Sequence, residues 1–325
     1  MSELIKLLRK GNKSAMMAAI VNTIISIIKG IAFALTGNVA MFAETMHSLG
    51  DAANQFFVFI GSALSKKAPT KRFPNGFGRL VNLVLLGAVL VVGIMAFETI
   101  KEGYHHILHP TKSSGFILNI AVLGISVLLE MFVLFKAMKE ILHDVGINPA
   151  ETNVFAQSFV HLKKAKPATK LVFMEDLVAT GGGVLALIAV FISRFTPFHQ
   201  AEGIASILIG LMMFFVVGRV FLDNAAGALG EADKEMEMKI GAIVMQDVQV
   251  RDIQTLMVMK EGEELHVELK VEIDPVLTVA EADDIKDRLE NRILQEKGVT
   301  DVIIEFDEDN GIPDWAPSDL QLQKE

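Results

Sequence analysis

The chain has no cysteine, and only one tryptophan and one tyrosine among its 325 residues. Without thiols it has no disulfide framework, no thiolate metal site and no cysteine nucleophile. It also lacks a cationic excess: 30 Lys and Arg stand against 39 Asp and Glu, a formal charge of −9. That balance does not suit a polyanionic partner, so no nucleic acid is expected. Neither a phosphate-cradling glycine loop nor a nucleophile–base motif is present, so neither enzyme activity nor a cofactor is expected. What the chain has is apolar length. Hydrophobic residues make up 51% of it and the mean hydropathy is +0.44, more than a soluble domain of this size ordinarily sustains. The apolar excess lies before about residue 225 and the acidic excess after it.

A membrane helix needs roughly 20 mostly apolar residues. Six stretches approach or meet that length: 14–36, 39–65, 80–98, 116–138, 171–195 and 200–222. Gly37-Asn38 is a turn signal that makes the first two a tight helical hairpin. Residues 1–13 form a basic amphipathic leader with no small-residue cleavage site. The cations Lys6, Arg9, Lys10, Lys13, Lys66, Lys67, Lys71, Arg72, Arg79, Lys136, Lys139, Lys163, Lys164, Lys166 and Lys170 fall on one side of the spans. Only Lys101, Lys112 and Arg194 fall on the other. Fifteen against three places both termini in the cytoplasm. Short loops and a leader that is not rich in Arg and Ser favour a bacterial inner membrane.

After the sixth span the periodicity changes. Residues 233–247 carry Met236, Ile240, Ile243 and Val244 at helical spacing. Residues 253–260 and 265–273 read as strands split by a polar turn at 261–264. In the second strand Leu265, Val267, Leu269, Val271 and Ile273 alternate with polar residues, so one face is buried and the other wet. Residues 278–297 form a helix opened by a Thr278–Glu281 capping box, and 301–306 form a third strand. The expected plan is an all-α, six-helix membrane domain over 14–225. It is followed by a cytoplasmic α+β domain of ferredoxin-like order (α-β-β-α-β) over 226–308 and a loose acidic tail over 309–325.

Ionisable side chains inside membrane spans are costly and mark function by default. Span two holds Glu44, His47 and Asp51, whose steps of three and four residues put them on one helical stripe. An imidazole and a carboxylate at i, i+4 can converge on one metal ion. Span five holds Glu175 and Asp176 side by side. If the two spans pack together, His47, Asp51 and Asp176, with Glu175 or a water, complete an N/O shell suited to zinc and open to Mn, Fe or Co. Glu44, one turn from His47, is a further candidate, either on the metal or beside it. One buried histidine alone often does no more than bond a carbonyl. Four buried carboxylates without a cation, however, must be protonated or separated by water. Asn22, Ser26 and Lys29 form a polar seam in span one, for packing or, for Lys29, as counter-ion to one of the carboxylates. Glu130 in span four is expected to pair with Lys136 or Lys29, and Gly181-Gly182-Gly183 to serve packing. His105, His106 and His109 beyond span three are expected to be solvated.

The run Ala43-Glu44-Thr45-Met46-His47-Ser48-Leu49-Gly50-Asp51, after a first span ending in Gly37-Asn38, is similar to the second-span signature of the cation diffusion facilitators. Six spans, cytoplasmic termini and a helix-strand-strand-helix-strand domain are also that family's plan, and the resemblance runs from about 14 to 307. It implies a homodimeric exporter that exchanges divalent metal, mostly zinc, for protons. The transport site is then shared by spans two and five, with His47 and Asp51 matching one motif and Asp176 the other. The chain departs from the zinc pattern at Val172, where histidine is usual. Glu175-Asp176 resembles the Glu-Asp pair of a divergent branch that includes mitochondrial zinc carriers. Adjacent helical side chains diverge by about 100°, so Glu175 is expected to need a local rotation to replace a ligand at Val172. Loop 71–79 has none of the family's auxiliary metal ligands, and Arg79 matches a basic residue that helps lock the dimer, with Glu231 or Asp223 as partners for the loop's other cations. In the cytoplasmic domain only His266 could join Glu268 and Asp307, and a wet strand face is expected there. Two other readings stay open: an exporter of manganese, iron or cobalt, and a membrane metal sensor that does not transport.

Overall fold

A computed structural model describes residues 6–162, 165, 167–262 and 264–315, without the side chains of 167, 168 and 171. The first five residues, the loop cations Lys163, Lys164 and Lys166, the turn residue Glu263 and the tail from 316 onward lie outside the described residues. The chain divides into two compact units: a helical one of 12–60 and 84–222, and a second of 1–11, 61–83 and 223–325.

In the helical unit α1 (Lys13–Thr36) starts where the Asn12 side chain accepts the Ala15 N–H. It ends at Gly37, whose φ of 66° is the left-handed value glycine adopts freely. The Asn38 side chain then accepts the Met41 N–H at 2.8 Å and starts α2 (Val39–Ser65). The tight hairpin is therefore one αL residue followed by one capping residue. The long helices α3 (Leu80–Leu108), α4 (Phe116–Asp144), α6 (Pro167–Phe195) and α7 (Ala201–Leu229) follow, with short α5 (Val154–His161) between α4 and α6. Of the six long helices, α1, α3, α4, α6 and α7 are apolar and long enough to cross a membrane. The 27-residue α2 has the length but not the apolarity, because it carries Glu44, His47 and Asp51. Glu44 is 0% and His47 8% exposed, so that stripe turns into the bundle.

Three helices outrun at their C-terminal ends the apolar stretches that predict them: α3 runs to 108, not 98, α4 to 144, not 138, and α7 to 229, not 222. Hydropathy marks where a bilayer would end, whereas the backbone ladder stops only at a breaker. Those breakers come at Pro110, at Gly146 (φ 73°) and at Gly230 (φ 88°). The eight residues of α5 are too few to show a period. Its Asn153 cap accepts the Ala156 N–H, and Phe159 meets Phe173 of α6 edge to face at 5.3 Å. Small residues set the closest approaches. A Cβ on Gly103 of α3 or Gly203 of α7 would lie 2.6 Å from the other's carbonyl oxygen, so the two backbones touch there.

In the second unit α8 (Lys234–Val244), β1 (Val250–Glu261), β2 (Glu264–Ile273), α9 (Val279–Ile293) and β3 (Val299–Glu308) follow in order. The sheet order is β1-β2-β3, with β1 antiparallel and β3 parallel to β2. The parallel pair is closed by the α9 crossover. Thr278 and Glu281 form the expected capping box, with the Thr278 N–H donated to Glu281 at 2.8 Å. The alternating residues of β2 lie in one core with Ile240 and Val244 of α8 and Ile285, Leu289 and Ile293 of α9. The sequence expectation of a loose tail fails for 309–315. The Asp252 carboxylate accepts the backbone N–H groups of Asp314 and Trp315, and the Trp315 ring fills the space beside Gly241. A lone aromatic in an acidic, proline-bearing stretch gives no periodic signal, yet a well-placed indole buries enough area to dock it. Within this unit Arg79 pairs with Glu261 at 3.3 Å and Lys260 with Glu231 at 3.1 Å.

Candidate functional site

One cavity of about 150 Å³ in the helical unit is lined by Asn22 of α1, His47, Asp51, Asn54 and Gln55 of α2, and Glu175 and Asp176 of α6, among others. Helical spacing explains the α2 contribution. The stripe begun by His47 and Asp51 continues three and four residues on to Asn54 and Gln55, a signal present in the sequence but unused there. His47 Nε2 stands 3.6 Å from Asp51 Oδ2, too far for a hydrogen bond. His47 Nε2 and Asp176 Oδ2 are both buried and have no hydrogen-bond partner among the described residues. Such atoms are expensive to leave unmatched, on the order of 1–3 kcal/mol each, and both are electron-pair donors facing one cavity. The arrangement can accept a cation. Among the described residues, no three of His, Asp and Glu gather closely enough to hold one ion in this conformation.

Glu175 and Asp176 both line the cavity, although adjacent positions on a helix diverge. Val172 is 50% exposed and is not part of the lining.

Glu44 lies elsewhere. Its Oε2 accepts from Lys29 Nζ at 2.8 Å, and Lys29 Nζ lies 3.4 Å from Glu130 Oε1. Glu44 is therefore not part of the cavity lining, because its position on the stripe turns it toward α1 and α4. Lys29 is the counter-ion, and Glu130 takes Lys29 over Lys136. Gly182 and Gly183 of α6 press on this cluster: a Cβ at Gly182 would sit 3.0 Å from Glu44 Oε1, and one at Gly183 3.2 Å from Glu130 Oε2. The packing role expected of the glycine run is thus packing against two carboxylates. Ser26 donates to the Thr45 carbonyl at 3.2 Å, which is the packing half of the seam.

The three histidines beyond the third span sit at or just past the end of α3. His105 and His109 are exposed, but His106 is 3% exposed with Nε2 3.2 Å from the His199 carbonyl, so it is not solvated. In the second unit His266 lies 2.8 Å from Asp301 and 3.3 Å from Glu268. Asp307 is held instead by Lys270 at 2.8 Å. That hydrogen bond keeps the Asp307 carboxyl below its usual range and raises the Lys270 ammonium.

The cation efflux transmembrane domain is matched by residues 15–227 and the cytoplasmic domain of cation efflux proteins by residues 232–309. The mitochondrial proton-coupled zinc antiporter SLC30A9 of Mus musculus is 25% identical over 252 residues, covering 76% of this chain and 43% of the relative. The chain thus spans less than half the length of that relative. Zinc transporter ZitB of Yersinia pseudotuberculosis is 22% identical over 318 residues, 95% of this chain and 93% of the relative. Magnetosome protein MamM of Paramagnetospirillum magneticum is 25% identical over 277 residues, 82% and 78% of the two chains. A multi-pass helical domain and an α-β-β-α-β domain, matched in order over most of the sequence, show that the chain belongs to the cation efflux, or cation diffusion facilitator, family of metal transporters.

Proposed function

We propose that this protein carries a divalent metal cation, zinc in the first place, across a membrane in exchange for protons. The observation that carries the reading is the pair of buried donor atoms, His47 Nε2 and Asp176 Oδ2, unpartnered among the described residues and facing a cavity that Asp51 and Glu175 also line. A cation binds such a set only when the imidazole is neutral and the carboxylates are ionised, so loading releases protons. On an acidic far side, protons return to the same groups and displace the metal. The cavity includes Asn54, Gln55 and Val220, toward the helix ends that the asymmetry of the loop cations assigns to the cytoplasm. Loading in this conformation is therefore from the cytoplasm. A movement of α6 toward α2 would gather Asp176 onto the His47–Asp51 pair, and rocking of these helices against the rest would turn the site outward. The names of the zinc-transporting relatives support the cargo. We place the protein in a bacterial inner membrane with six spans, both termini cytoplasmic, working as a homodimer through its cytoplasmic domain.

The test is zinc flux in proteoliposomes under a pH gradient. His47→Ala and Asp51→Ala are each expected to lower it to background, and wild-type flux in both variants would refute the site. A second reading, transport of Mn²⁺ or Fe²⁺, is favoured by one observation: with Val172 outside the lining, a single imidazole faces three carboxylates, and oxygen-rich shells suit harder ions. Competition titration against zinc separates the two. Metal binding without any flux would point to a sensor.

A further inference from the structure

The cluster beside the cavity has charges that do not balance. Lys29 is 0% exposed and is, among the described residues, the one cation between Glu44, also 0% exposed, and Glu130, whose side chain is 21% exposed. Each carboxylate gives one oxygen to the ammonium. The other oxygens, Glu44 Oε1 and Glu130 Oε2, are buried and without a hydrogen-bond partner among the described residues. With both acids ionised the cluster carries one surplus negative charge in a medium where an uncompensated charge is costly. A second metal ion is a poor answer, because the Lys29 ammonium already stands between the carboxylates and repels a dication. A proton needs no such room.

Access to the cluster exists. A cleft between α1, α4 and α6 starts at Lys13 and Ser14, passes Asp51 and Asp176, and reaches Glu130. Asn22, Asp51 and Asp176 line both this cleft and the metal cavity, so the two spaces adjoin along these side chains. Lys29 on α1 and Glu44 and His47 on α2 are the charged and titratable groups acting on Glu130 among the described residues. From α6, Asp176 faces the cleft and Gly183 brings only backbone to Glu130. Short α5 packs on α4 elsewhere, around Ile141, Leu142 and Phe173.

We propose that Glu130, paired to Lys29 and backed by Glu44, is a proton-binding site separate from the metal ligands and reached through the α1–α4–α6 cleft. Its carboxylate takes a proton from hydronium in the cleft, forming an O–H bond and leaving water, and gives it back by the reverse step. A dication entering the cavity beside His47, one helical turn from Glu44, drives that proton off by repulsion. When the metal leaves, the proton returns. Glu130 thus carries one of the exchanged protons, while His47 and the cavity carboxylates hold the metal.

This inference rests on the exchange reading above, and the experiment separates the two. Zinc is titrated calorimetrically into the purified full-length chain in buffers of different ionisation enthalpy, which counts the protons released per zinc. The same protein in proteoliposomes gives zinc flux with and without a pH gradient. In Glu130→Gln, zinc still titrates the cavity, the proton count falls by about one, and the pH gradient accelerates flux less than in wild type. Glu130→Asp, which keeps an acid, restores both. If Glu130→Gln does not fold, Glu44→Gln, which leaves Lys29 and Glu130 as a balanced pair with no surplus charge to bind a proton, takes its place with the same readouts. An unchanged proton count and pH response in the variant overturns the inference while leaving the exchange reading intact. A wild-type protein that binds zinc and releases no proton overturns both.

Discussion

Lys29 shows how much a single side chain decides in this bundle. Its 2.8 Å bond to Glu44 removes a carboxylate from the stripe that the sequence assigns to metal and gives it a second task. Spacing of three and four residues showed that Glu44, His47 and Asp51 share a helical face, and two of them do line the cavity. The stripe is wide enough to serve two neighbours, though, and which residue meets which depends on α1 and α4, distant in sequence. A second residue-scale case lies in the other unit. Burial alone would push the Asp247 carboxyl up, but hydrogen bonds from Arg288 and from the Gln249 backbone outweigh it and hold it below its usual range. A carboxyl depressed in the folded state stabilises the fold fully above its unfolded value, about 3.9. That contribution is lost as pH falls through the lower, folded value. Arg288→Ala is therefore expected to lower hydrogen-exchange protection of α8 and α9 amides at neutral pH. The gap to wild type should close as the pH falls below about 4. A gap that stays constant down to acid would show that the pair contributes nothing through its charge.

Among the elements, the α3–α7 crossing is the tightest constraint. With Gly103 and Gly203 each leaving only 2.6 Å between a new Cβ and the opposite carbonyl oxygen, the backbones cannot stay in place around a larger residue. Gly203→Val is expected to destabilise the bundle by roughly 1–3 kcal/mol or more, seen as a lower thermal midpoint in detergent, whereas Gly93→Val, with open space around its Cβ position, should not. Equal midpoints for the two variants would refute the close contact. Elements were legible in the sequence where a period ran long enough. The strict alternation over 265–273 gave β2 to within one residue, and the Thr278–Glu281 pair gave the start of α9. Ends were less legible. The charged residues Lys101 and Glu102 stop a hydropathy stretch but continue a helix, and eight residues of α5 carry too little pattern to be seen. The docking of 309–315 on Asp252 depends on backbone groups, which no residue pattern displays.

At the scale of the whole molecule, the division of labour follows composition. The apolar residues before about 225 build most of the helical unit, which holds the His47–Asp176 cavity and the Lys29 cluster, and the acidic remainder builds most of the second. Domain order was legible because each half has its own period, 3.6 in one and 2 in part of the other. How two copies assemble was not, because a self-complementary surface leaves no period. The homodimer reading predicts a protein mass in detergent of twice 35.5 kDa by light scattering; a mass of 35.5 kDa at working concentration would refute it. The seating of Trp315 against Gly241 has a practical corollary. As the chain's sole indole, it gives an intrinsic emission signal that follows the sheet domain alone and stays silent about the lipid-facing helices, so a zinc-induced change in that signal would time the message between the two halves without any label.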